Sequence, residues 1–293
     1  MPFAVLDGIK THYLKQGTGP ALLMFASRGF NSTINSWKAG KVWKEMDAFD
    51  TLSKHFTMIA YDRREAGLSG GCVEVLTWKT FARQGKLLLE HLGIEKAWVI
   101  GPCMGVSVAT QFASVYPQTC LGLLLLAPVG GYHWMQKGVG FCNRHIRFVR
   151  EHGLQACVER APKGGNFWED PEPGPWASPL CTDSAFAARF VKQDVDRYLE
   201  IVAATRDALF PDTFVAGASA EELLQIDIPA LVIPGGDERH TVSAANQLRE
   251  LLPRVQYWDM PASQQNGQNT FEQLIGFKQK VESGSMARAP EGR

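Results

Sequence analysis

The residues best equipped for chemistry lie at Gly101-Pro102-Cys103-Met104-Gly105. An apolar run, Trp98 to Ile100, ends at the first glycine, and a small-residue segment from Val106 to Tyr116 reads as a helix stopped by Pro117. A side chain on so sharp a strand-to-helix turn needs glycines around it, because a Cβ there would strike neighbouring backbone. The Cys103 sulfur would stand at a helix N-terminus, where backbone N–H groups and the dipole favour a thiolate. The plain alternative is a buried thiol acting as a small hydrophobe. A second reactive stretch is Gly235-Gly236-Asp237-Glu238-Arg239-His240, between an apolar run at Ala230 to Ile233 and a helical pattern from Val242 to Leu252. It sets a carboxylate and an imidazole three residues apart on one loop. Asp237 and the neighbouring Glu238 are the carboxylates on it.

Several elements must hold these groups in place. Phe3 to Leu6 and Ile9 to Leu14 flank Asp7-Gly8, a hairpin signal of type I′. Ala21 to Ala26, Trp98 to Ile100, Leu121 to Leu126 and Ala230 to Ile233 are apolar runs, as expected of strands buried on both faces, and Thr57 to Asp62 reads as another strand. A last strand is expected at Val255 to Met260 and a last helix at Thr270 to Lys280. Helical patterns cover Val42 to Lys54 and Leu76 to Leu92, the latter stopped by Gly93. From Tyr132 to about Leu224 the apolar strands disappear, and helical patches at Gln136 to Glu151 and Asp194 to Leu209 alternate with Pro-Gly clusters.

The Gly-x-Cys-x-Gly turn, the strand order and the Asp62-Arg63-Arg64-Glu65-Ala66-Gly67-Leu68-Ser69 segment resemble the α/β-hydrolase superfamily, with cysteine where serine is usual. The resemblance implies an α/β-hydrolase fold, a mostly parallel sheet flanked by helices, with a core at 1–131 and 225–282. Residues 132–224 would form a helical cap, and 283–293 reads as a disordered tail. It also implies an oxyanion hole from the backbone N–H groups of Phe30, after Ser27-Arg28-Gly29, and of Met104. The implied acid is Asp237. The family's histidine belongs on the loop after the last strand, yet Pro261 to Asn269 carries Gln264 and Gln265 and no histidine.

Three accounts follow from that departure. A partly ionised thiol could act without the usual base on a substrate with a good leaving group. His240, which the resemblance otherwise assigns to structuring its loop, or His133 could replace the missing base. Or the fold could serve a non-hydrolytic role, as a lyase, an isomerase or a ligand-binding protein. The favoured expectation is a cofactor-free cysteine hydrolase of an activated acyl substrate: an enol lactone, ester, thioester or diketone-type C–C bond. Cys103, Asp237 and His240 would be catalytic, and Arg28, His133, Trp134, Glu238, Gln264 and Gln265 would line the pocket. Trp168, Phe141 and Trp176 are further apolar lining candidates.

Composition sets the remaining bounds. With 293 residues, 45% of them hydrophobic, the chain can bury a large core. A formal net charge of zero without a basic block argues against nucleic acid as a partner. No apolar run reaches membrane-spanning length and no signal-peptide pattern opens the chain, so a cytoplasmic location is expected. The six cysteines lack metal-ligand or disulfide-framework spacing, so no metal and reduced thiols are expected. A small-molecule substrate is the expected partner, with a homodimer left open.

Overall fold

The apolar runs become the centre of an eight-stranded sheet in the computed structural model, which describes residues 2–163, 166–211 and 215–285. The strands are β1 (Phe3–Leu6), β2 (Ile9–Gln16), β3 (Ala21–Met24), β4 (Thr57–Tyr61), β5 (Ala97–Pro102), β6 (Cys120–Leu126), β7 (Ala230–Ile233) and β8 (Val255–Tyr257). They lie in the order β1-β2-β4-β3-β5-β6-β7-β8. All neighbours from β4 to β8 are parallel, whereas β1 with β2 and β2 with β4 are antiparallel. Asp7 and Gly8 both take positive φ, 53° and 77°, as a type I′ turn requires.

This order contains the feature that positions the site. The connection after β3 runs to β4 on one side, whereas that after the neighbouring β5 runs to β6 on the other, so the chain reverses direction between these two strands. A crevice opens at such a reversal, beyond the carboxyl ends of the strands. The loop after β3 and the turn after β5 both end there.

Helices cover both faces, and alternate strand residues feed two cores. On one side Leu22, Met24, Trp98 and Ile100 pack with residues from α1 (Lys41–Met46), α2 (Ala48–Leu52) and the chain's last helix. On the other, Leu23, Val99, Leu123 and Leu125 meet α3 (Trp78–His91) and α4 (Met104–Val115). Each such buried aliphatic side chain contributes about 1.5–3 kcal/mol through area removed from water. Between β6 and β7 the described chain holds five helices and no strand: α5 (Tyr132–Arg160), α6 (Ala177–Thr182), α7 (Ser184–Phe190), α8 (Val195–Leu209) and α9 (Ala220–Leu224). α10 (Val242–Leu251) follows β7, and α11 (Gly267–Glu282) closes the fold. Among the described residues, no helix is long and apolar enough to cross a membrane.

Element boundaries depart from the sequence expectation for local reasons. The expected helix from Val42 to Lys54 is two helices, because Asp47 takes a left-handed conformation between them. α11 starts three residues early, since Asn266 and Asn269 exchange side-chain to backbone bonds of 3.0 and 2.8 Å as a cap. β3 stops at Met24 and β8 at Tyr257, each short of its apolar run. The tail expected to be disordered lies, from residue 286 on, outside the described residues.

Candidate active site

β5 is buried throughout and delivers the chain to Cys103, the N-cap of α4. Cys103 sits at φ 56°, ψ −127°, a region that a non-glycine residue enters only when its surroundings force it there. Two bonds impose the turn: Cys103 N–H donates to the Leu126 carbonyl at 3.0 Å, and Val106 N–H to the Cys103 carbonyl at 3.0 Å. The glycine spacing follows from crowding. A Cβ on Gly101 would come within 2.2 Å of the Gly105 carbonyl oxygen, and one on Gly105 within 2.1 Å of the Phe25 carbonyl oxygen. Neither position admits a side chain.

The loop after β7 supplies the partner. His240 Nδ1 lies 2.8 Å from Asp237 Oδ2, and Asp237 Oδ1 accepts the backbone N–H groups of Arg239 at 2.8 Å and His240 at 3.0 Å. Gly235 makes this return possible, since a Cβ there would fall 2.4 Å from His240 Cβ. The Gly130 N–H donates to the Arg239 carbonyl at 3.2 Å and ties the loop to the end of β6. So held, His240 lines the same cleft as Cys103, and its charge favours the thiolate.

The electrostatics are those of an ion pair oriented by a carboxylate. Burial alone would push the Cys103 thiol up. The hydrogen bond and charge of His240, with the backbone N–H groups of Met104 and Arg28, outweigh burial and hold it below the ordinary thiol value. Burial opposes protonation of His240 too, but Cys103 and Asp237 raise it to about 9. Partial burial of Asp237 is outweighed by His240 and the two backbone N–H groups, leaving its carboxyl at about 2. The shifts favour a thiolate at Cys103, an imidazolium at His240 and a carboxylate at Asp237.

Two backbone N–H groups favour the charged sulfur, those of Met104 and Arg28. Phe30, expected beside Met104, lies two residues further on. β3 pairing ends at Met24, and a 3₁₀ turn over Gly29–Asn31 takes Phe30 into the core, its ring 4.8 Å from that of Phe167. Arg28 is the left-handed residue before that turn, at φ 77°. Its carbonyl accepts from Trp168 Nε1 at 3.0 Å, while Asn31 Oδ1 accepts from Phe167 N–H at 3.1 Å. The buried Arg63 guanidinium donates to the Gly29 carbonyl. The inserted helical segment and the sheet thus both grip the loop that carries Arg28.

A cleft of about 560 Å³ opens onto Cys103, Met104, Arg28 and His240. Trp134, Lys137 and Trp168 from the inserted segment line it, as do Trp43, Glu169 and Arg239. Of the expected pocket residues, Arg28, Trp134 and Trp168 are present. His133 and Glu238 instead line an adjoining open groove. Gln264 is exposed, and Gln265 is buried with its amide donating to the carbonyls of Pro234 and Met260, both at 2.9 Å. An amide set between two unpaired carbonyls satisfies them first, so both glutamines lie outside the cleft lining. Lys137, Arg239 and Trp43 carried no local sequence signal, because only the tertiary fold brings them to Cys103. Among the described residues, no three His, Cys, Asp or Glu side chains are grouped to hold a metal ion.

Sheet order, elbow and loop order define an α/β-hydrolase fold. A family model described as the alpha/beta hydrolase fold matches residues 29–163. An α/β-hydrolase enzyme from a Medee basin deep-sea metagenome library is similar over 95% of this chain and 97% of its own, with a TM-score of 0.62 at 18% identity. The enol-lactonase from Burkholderia xenovorans is similar over 97% of this chain and 100% of its own, with a TM-score of 0.58 at 21% identity. Among curated relatives, a dihydrolipoyllysine-residue acetyltransferase component of an acetoin cleaving system from Cupriavidus necator is 31% identical over 128 residues. That stretch is 44% of this chain and 32% of the relative, so the chain spans about a third of the length of the curated relative it matches.

Proposed function

We propose that this protein is a cysteine-dependent acyl hydrolase working through Cys103, His240 and Asp237. The observation that carries the reading is the cleft that brings Cys103 and His240 together, with the His240 imidazole held 2.8 Å from Asp237. The two alternatives drawn from the sequence, a thiol without a base and a non-hydrolytic protein, rested on the want of a histidine near Cys103. His240 answers that want from a different loop, with acid and base three residues apart.

In the first half-reaction the Cys103 thiolate attacks the substrate carbonyl carbon. The carbonyl π electrons move to oxygen, and the Arg28 and Met104 backbone N–H groups stabilise that oxyanion where charge develops. The oxyanion collapses, the bond to the leaving group breaks, and the imidazolium of His240 gives its proton to the departing atom. This leaves an acyl group in thioester linkage to Cys103 and a neutral imidazole. In the second half a water molecule attacks the thioester carbonyl as His240 takes its proton. Collapse expels the Cys103 thiolate and releases the carboxylic acid, restoring the ion pair. Asp237 keeps His240 in one orientation and stabilises its charged form.

The substrate class supported is a small activated acyl compound: an ester, an enol lactone or a thioester. A C–C bond of a diketone type belongs to the same set, because its leaving group is also a stabilised anion. The enol-lactonase similarity agrees with this class at the level of fold alone. Residues 132–224 would serve as a cap over the core formed by 1–131 and 225–282, with Trp134, Lys137 and Trp168 closing the cleft.

A panel of 4-nitrophenyl esters, lactones and thioesters tests the reading. Cys103→Ala is expected to abolish turnover. Cys103→Ser keeps a measurable remainder, since His240 still accepts a hydroxyl proton, and adding His240→Gln removes it. Full activity in Cys103→Ala would exclude covalent catalysis at this site.

A further inference from the structure

The cleft continues into a second concavity of about 750 Å³ that shares Lys137 and Arg239 with it. α5 forms one wall with His133, Lys137, Gly140, Arg144 and Arg147, spaced four, three, four and three residues apart. That spacing places them along one helix face. A Cβ on Gly140 would meet nothing within 4 Å, so the middle of the stripe is open. At 1.5 Å rise per residue, Arg147 lies about 15 Å along the axis from Lys137.

The charge along this path is one-sided. Arg28, Lys137 and Arg239 surround the cleft against one carboxylate, Glu169. Arg144 and Arg147 continue along the groove against Glu238. Arg144 is paired with Glu172 at 2.7 Å, whereas Arg28, Lys137, Arg147 and Arg239 have no ion pair among the described residues. In a chain with zero formal net charge, this run of cations leads from open solvent to the nucleophile.

We propose that the substrate carries carboxylate or phosphate groups away from its scissile carbonyl, and that the stripe on α5 with Arg239 binds them. This rests on the acyl-hydrolase reading above. A short dicarboxylic acyl group would reach only Lys137 and Arg239. A phosphorylated carrier attached through a thioester would reach Arg147 as well.

Three substrates separate these cases at low ionic strength: 4-nitrophenyl butyrate, which is neutral; 4-nitrophenyl hemiglutarate, with a short carboxylate; and butyryl-coenzyme A, with phosphates on a long leaving group. At least one anionic substrate is expected to exceed the neutral ester in kcat/KM by about tenfold, mainly through KM. Added salt should erase that preference as the screening length shrinks. If the hemiglutarate carries the preference, Lys137→Gln or Arg239→Gln removes it and Arg147→Gln does not. If the coenzyme A thioester carries it, Arg147→Gln removes it too. A neutral ester turned over as well as both anions, or a preference that survives all three substitutions and salt, overturns this proposal and leaves the acyl-hydrolase reading intact. No turnover of any of the three, with Cys103 never acylated, overturns that reading and this proposal with it.

Discussion

His240→Gln isolates the contribution of the imidazolium to the nucleophile. The substitution removes the charge and the ring but keeps a polar side chain of similar reach. In the native protein, burial pushes the Cys103 thiol up, and His240 together with the N–H groups of Met104 and Arg28 outweighs it. Without His240, even an ordinary thiol is only about 3% ionised near neutral pH. Burial reduces that fraction further, so the variant's thiolate population is expected at about 3% or less near neutral pH, below that of the native protein. A less acidic thiol is more nucleophilic once ionised, which returns part of the loss. The assay is the rate of Cys103 alkylation by limiting iodoacetamide across pH, located by peptide mapping. The sign follows from the lowered thiol: native reactivity is present above its folded value and lost as pH falls through it. A second change is expected near pH 9, where His240 gives up its proton. The variant should show one rise, at or above the ordinary thiol range. A variant that alkylates near neutral pH within about twofold of the native rate, with the same pH profile and an unchanged circular dichroism spectrum, refutes the ion pair.

Two further outcomes follow from the same geometry. Asp237→Asn should lower kcat/KM by about 10²-fold or more, far beyond the effect of Glu238→Gln, because Asp237 alone contacts His240; the reverse ranking in two folded variants would put the acid in the other register. Gly105→Ala should cost about 1–3 kcal/mol in denaturant unfolding and most of the activity, since its Cβ would meet the Phe25 carbonyl, whereas Gly276→Ala in α11, open on that side, should be neutral or slightly stabilising.

The elbow was legible because steric crowding fixes residue types. Gly101 and Gly105 cannot carry a Cβ, and that exclusion is written into the pentapeptide. The parallel strands were legible for a similar reason, as burial on both faces demands an unbroken apolar run. The shape of the loop after β3 was not legible. An apolar run from Ala21 to Ala26 does not disclose that pairing stops at Met24, and a left-handed arginine has no sequence signature. The Asp237–His240 pair was visible as spacing, but its approach to Cys103 was not. That approach depends on Gly235 admitting the His240 Cβ and on Gly130 holding the loop, both contacts between distant parts of the chain. Gln264 and Gln265 were drawn to the pocket by their position in the chain, and two backbone carbonyls claim the amide of Gln265.

The account turns on a covalent bond to one sulfur. Rapid acid quenching during turnover of an activated ester, followed by intact mass measurement and peptide mapping, reads that bond directly. The expected result is a single added acyl mass on Cys103, released by hydroxylamine, decaying at the rate of turnover and absent from Cys103→Ala. Sustained turnover with no adduct on Cys103, or an adduct confined to the exposed thiols of Cys72 or Cys181, would contradict it.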